Sequence, residues 1–139
     1  MGLLTELLIG TEDDAKAYAD SRGTRLPAAV GRVALGDLTS LEFETLWAIL
    51  ENKAWDARMH ALREVWHGAD SFLFAFPARY VSTLTTLEPS SVASASVAWS
   101  ATDEMRATPQ EVVPIIEQMV LLARAVASSD NQLFLWFSL

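Results

Sequence analysis

A chain of 139 residues has the length of one domain, and with 51% hydrophobic and 20% charged residues it can bury a core rather than stay disordered. Its 18 acids against 10 bases leave a formal charge of −8, which argues against a nucleic-acid backbone or an anionic membrane surface as partner. The sequence has no cysteine, so a disulfide framework, a thiolate nucleophile and a Cys-based zinc site are excluded.

The opening Met1-Gly2-Leu3-Leu4-Thr5-Glu6 has no basic region before its apolar run, so no secretory leader is expected. Apolar stretches fall far short of the ~20 residues that span a bilayer. The expected compartment is the cytosol.

Leu3 to Gly10 is short and apolar, and reads as an edge strand or an extended arm. Thr11-Glu12-Asp13-Asp14 opens a helix running to about Asp20, because Thr11 can cap the Asp14 amide and the acids sit at the positive end of the dipole. Ser21 to Gly36 contains Gly23, Pro27, Gly31 and Gly36 and predicts a loop-rich region. Thr39-Ser40-Leu41-Glu42 is a second capping box, opening a helix through Leu50 that breaks near Asn52. Trp55, Met59, Leu62 and Trp66 then recur at helical spacing and predict a third helix, closed by Gly68.

Ser71 to Phe76, a nearly continuous apolar run before Pro77, predicts a buried strand, and Ala78 to Leu87 a helix with Pro77 at its start. Ser90 to Met105 reads as a helix whose many alanines and serines suit close backbone packing. Thr108-Pro109-Gln110-Glu111 caps the most apolar helix, which ends near Ser128 and should be kinked by Pro114. Gln132 to Leu139, apolar on both faces, predicts a covered strand. The sum is a single α+β domain over residues 1–139. Five or six helices surround a small sheet of two or three strands, in which Ser71–Phe76 pairs with Gln132–Leu139 and Leu4–Ile9 is the third if there is one.

On the expected third helix, Asp56, His60, Glu64 and His67 fall on one line opposite the apolar stripe. Glu64-Val65-Trp66-His67 has the E-x-x-H spacing of di-iron bundles, but the second copy such a site needs is missing and the line points away from the core. A solvated helix face accounts for it, and no metal or cofactor is expected. No serine stands in a nucleophile motif, so no catalytic residue is assigned. Gly31 to Gly36 has the first spacing of a phosphate-binding loop, yet Asp37 and Leu38 stand where Lys and Ser or Thr are required.

Arg22, Arg25 and Arg32 form a basic island with no acid between Asp20 and Asp37. The island suits either an anionic ligand or partner, or tethering of its own loop to an acidic body. Five tryptophans suit a Trp-rich core with one or two left as anchors of a binding surface.

The expected function is therefore a non-enzymatic interaction module, inhibitor- or immunity-like, binding another protein or a second copy of itself. Such a module should show an exposed patch joining acids with at least one aromatic. The alternative is a small enzyme or ligand-binding domain using the His60/Glu64/His67 face or the Arg22/Arg25/Arg32 loop.

Overall fold

The strand β5 (Gln132–Ser138) is apolar on both faces because it runs through the middle of a sheet covered on both sides. The computed structural model describes residues 3–22 and 31–139. Along them stand β1 (Leu4–Gly10), α1 (Glu12–Asp20), β2 (Gly31–Gly36), α2 (Ser40–Leu50), β3 (Arg63–His67), β4 (Ser71–Ala75), α3 (Ala78–Thr85), α4 (Pro89–Ser100) and α5 (Pro109–Ala127), with β5 last. The five strands form one sheet in the order β2-β1-β5-β4-β3, every neighbour antiparallel. The expected sheet of two or three strands is thus corrected to five, while the architecture stays α+β with five helices among the described residues.

Side chains alternate across the sheet and build two cores. On one face Leu7, Leu133, Leu135 and Phe137 pack under α2 to α5, with Phe43, Leu46, Tyr80, Trp99 and Ile116 fully buried above them. On the other face Leu8, Phe134, Trp136, Leu73 and Ala75 are covered by Ala15, Tyr18 and Ala19 of α1. Thr5 pins the chain after β2 to the larger core: its hydroxyl donates to the Leu38 carbonyl at 2.5 Å and accepts from the Leu38 amide at 3.0 Å.

Two expectations fail for the same reason, that strand pairing between distant segments overrides local pattern. The predicted loop contains β2, whose Val33 and Leu35 face inward with period two and whose partner is β1. Gly31 is there for closeness: a Cβ on it would meet Ile9 Cγ1 at 2.8 Å. The predicted third helix does not form. Asn52 takes a left-handed φ of 55° just past α2, and Asp56 turns the chain with its own carboxylate, Oδ1 accepting the Arg58 amide at 2.8 Å. Residues 63–67 then pair with β4, with a register shift between Glu64 and Trp66, and Gly68 belongs to the hairpin instead of a helix end.

The capping signals hold. Thr11 accepts from the Asp14 amide at 3.2 Å, Glu42 accepts from the Thr39 amide at 3.0 Å, and Thr108 accepts from the Glu111 amide at 3.3 Å. The last of these starts the 19-residue α5, which continues through Pro114. Thr108→Ala should lower stability by about 1 kcal/mol, seen as a shift of the urea midpoint without change in slope.

Candidate functional site

Between α2 and β3, residues 52–59 are all exposed, and Trp55 and Met59 keep 46% and 38% of their surface in solvent. The segment is nonetheless built firmly. The Asp56 carbonyl accepts from the amides of Met59 at 3.0 Å and His60 at 2.8 Å. His60 returns inward and is fully buried. Its Nδ1 accepts the Asp56 amide at 3.1 Å, so the proton of the neutral ring sits on Nε2, which donates to Glu51 Oε1 at 3.0 Å. Arg79 of α3 completes the clamp, with Nε 3.1 Å from Glu51 Oε2 and Nη2 donating to the Met59 carbonyl at 3.1 Å.

The floor of this clamp is aromatic. The Arg79 guanidinium lies 4.7 Å above the Trp47 ring, which stacks on Tyr80 at 4.9 Å and meets His60 edge-on at 5.4 Å. At the far end of the segment Glu44 Oε2 accepts the Leu62 amide at 2.8 Å. Burial pushes the Glu44 carboxyl above its ordinary range, an effect the Leu62 hydrogen bond offsets only in part. Burial alone would do the same to Glu51. There the hydrogen bond from His60 and the charges of Arg79 and Lys53 outweigh it and hold the carboxyl below the ordinary range.

The line expected to join Asp56, His60, Glu64 and His67 is dissolved with the helix that carried it. Asp56 and His60 belong to the clamped segment, whereas Glu64 and His67 sit on the edge strand β3. The latter two lie 3.9 Å apart and largely exposed, with the His67 ring stacked 6.5 Å from Phe72. Among the described residues no group of three His, Asp or Glu side chains is placed to hold a metal ion, and no helix is long and apolar enough to cross a membrane.

The arginine island is divided as well. Arg32 is engaged within the fold: its Nη1 donates to the Tyr18 hydroxyl at 3.2 Å and lies 3.7 Å from Glu6 Oε2. Tyr18 in turn donates to Glu6, a carboxylate only 4% exposed. Burial, reinforced by the Glu6 hydrogen bond, raises the Tyr18 pKa above its ordinary value. Arg25 lies outside the described residues. Arg22, in a left-handed conformation with φ 56° just past α1, lines a cavity of about 390 Å³ with Asp20, Trp66, Asp70, Ser71 and Ser138.

The tryptophans split as a core with an outlier. Trp99, Trp136 and Trp47 are 0%, 1% and 3% exposed, Trp66 is partly buried, and Trp55 stands in solvent. Sequence reasoning missed Glu44, Glu51 and Arg79, which hold the exposed segment. No spacing links them to His60, although Glu51 directly after an apolar helix face was a signal that could have been used. A scan of family models, a search of curated proteins and a search of solved structures each return no match to this chain.

Proposed function

We propose that the chain is a non-enzymatic protein-binding module whose recognition element is the segment between α2 and β3. The observation that carries this reading is Trp55, an exposed indole on a segment anchored from beneath by the fully buried His60 and its bonds to Glu51 and Asp56. Exposing a large aromatic loses the hydrophobic stabilisation of burying it, and holding its loop in one shape reduces the ordering entropy lost on association. Aromatic anchors set in a charged rim are the usual energetic centre of an interface. Here the rim carries Lys53, Asp56 and Arg58 on a chain of net charge −8. The partner that fits has an apolar pocket ringed by charges of both signs that answer Lys53, Asp56 and Arg58, and the module occupies it as an inhibitor would.

Capture from lysate of the source cells, run in parallel with wild type, Trp55→Ser and Leu121→Ser, tests this. Leu121 is also exposed, at 59%, but lies on α5. A protein retained by wild type and Leu121→Ser, lost with Trp55→Ser and released as salt rises is the expected result. Equal retention by Trp55→Ser, or retention of nothing, would overturn the assignment. The Trp55→Ser midpoint in urea should match wild type, since the indole supports little of the core.

A further inference from the structure

The geometry points to a second and independent site: the cavity lined by Arg22, Asp20, Trp66, Asp70, Ser71 and Ser138 binds a small zwitterion, of the chemistry of a free α-amino acid. It lies on the α1 face of the sheet. Ser71 and Ser138 are register partners, and by period two they share this face with Leu73 and Trp136. α1 covers Leu73 and Trp136 but ends at Asp20, so among the described residues no helix lies over the serine row next to them.

The floor is built. Ser71 is only 7% exposed, and among the described residues its hydroxyl meets no hydrogen-bond partner. A Cβ on Gly68 would stand 3.4 Å from Ser71 Oγ and 2.9 Å from Trp66 Cη2, so the hairpin turn approaches the serine and the indole as closely as only glycine permits. That turn is fixed from two sides: the Gly68 amide donates to the Ser71 carbonyl at 2.9 Å, and the Asp70 carbonyl accepts from the Leu139 amide at 2.7 Å. Arg22 is fixed too, its amide donating to the Ala19 carbonyl at 3.0 Å in the left-handed turn.

The rim carries both signs of charge on different elements, Arg22 and Asp20 after and at the end of α1, Asp70 in the hairpin. Among the described residues none of the three makes an ion pair, whereas Arg32, Arg63 and Arg79 each reach a carboxylate. A free anion entering here meets two aspartates, and a free cation meets the guanidinium. A molecule carrying both charges satisfies the set. Its carboxylate takes the Arg22 fork and the Ser71 hydroxyl, and its ammonium takes the aspartates beside the Trp66 ring. The volume suits a ligand of that size.

The test is amide-shift titration of the ¹⁵N-labelled full chain by NMR. Each of the common L-amino acids is added separately to about 10 mM, a ceiling chosen to reach millimolar affinities. Acetate, methylammonium and glucose serve as probes of single charge and of none. Saturable shifts of the Gly68, Ala69, Asp70 and Ser71 amides by at least one amino acid are expected. Affinity should fall about tenfold or more in both Arg22→Gln and Asp70→Asn, whose exposed side chains the fold does not need. Gly68→Ala, which pushes into the Trp66 ring, should abolish the shifts, and Glu117→Gln should leave them unchanged. No saturable shift with any amino acid would overturn the proposal. So would shifts equal in size with acetate, methylammonium or glucose, or affinity unaltered in Arg22→Gln.

Discussion

Trp99→Ala should bring the protein close to unfolding at room temperature, with a loss of about 3–5 kcal/mol from a total that for a domain of this size is about 5–15 kcal/mol. The indole is fully buried, tilted against Phe43 at 5.9 Å between ring centres, and its Nε1–H donates to the Glu42 carbonyl at 2.9 Å. That hydrogen bond joins α4 to the first turn of α2, where the Tyr80 hydroxyl of α3 likewise donates to the Phe43 carbonyl at 2.6 Å. Truncation therefore opens a cavity and also removes the hydrogen bond that ties α4 to α2. Trp99→Phe should recover much of the packing but not the hydrogen bond, and its urea midpoint should fall between those of wild type and alanine. A midpoint for Trp99→Phe no better than for alanine would mean that the hydrogen bond, not the ring, dominates.

Glu51→Ala should cost about 2–3 kcal/mol and loosen the exposed segment. Most of that comes from the fully buried His60, whose Nε2–H would be left without an acceptor. The Arg79 interaction adds less, because its side chain is 52% exposed. Trypsin should then cut at Lys53 and Arg58 faster than in wild type, and cleavage at the wild-type rate would count against the clamp. The pH dependence has a definite sign. Glu51 is held below the ordinary carboxylate range, so its ionised form contributes in full above that range, and the contribution is lost as pH falls through the depressed folded value. Glu44, raised by burial, acts oppositely: its ionised form is a penalty above its folded value, relieved on protonation. In urea unfolding from about pH 7 to about pH 3, the gap between wild type and Glu51→Gln should hold steady and then narrow at the acid end. Glu44→Gln should shift the balance the other way.

The parts of this fold that local chemistry controls were legible in the sequence. Thr11, Thr39 and Thr108 mark helix starts through hydrogen bonds closed within four residues, and β4 and β5 announce themselves as apolar runs too short for buried helices. What escaped was decided at long range. Trp55, Met59, Leu62 and Trp66 are in helical phase, yet the first two stand in solvent, Leu62 joins the core under α2 to α5, and Trp66 packs on the α1 face. Their common period was a coincidence that β3–β4 pairing overrode. The site residues follow the same division. The spacing of His60 to Glu64 and His67 is misleading, because its place is set by Glu51, which Arg79 also holds and which no periodicity connects to it. Arg32 is near Arg22 in sequence, but the antiparallel partner β1 carries the Glu6 that claims it.

The central place of β5 has a consequence for how this chain is made. Leu4 pairs with Ser138, so of these five strands the one made first waits for the one made last. Until β5 arrives, β2-β1 and β4-β3 are two separate ribbons with no ladder between them, and two-stranded ribbons alone are marginal in water. Such a high contact order slows folding and leaves apolar strand edges open during synthesis. β3 is blunted by its bulge and by Arg63, Glu64 and His67, but the facing edges of β1 and β4 have no such protection. Loss of β5 would thus leave the chain with two sticky edges at once, and its fate would pass from folding to quality control.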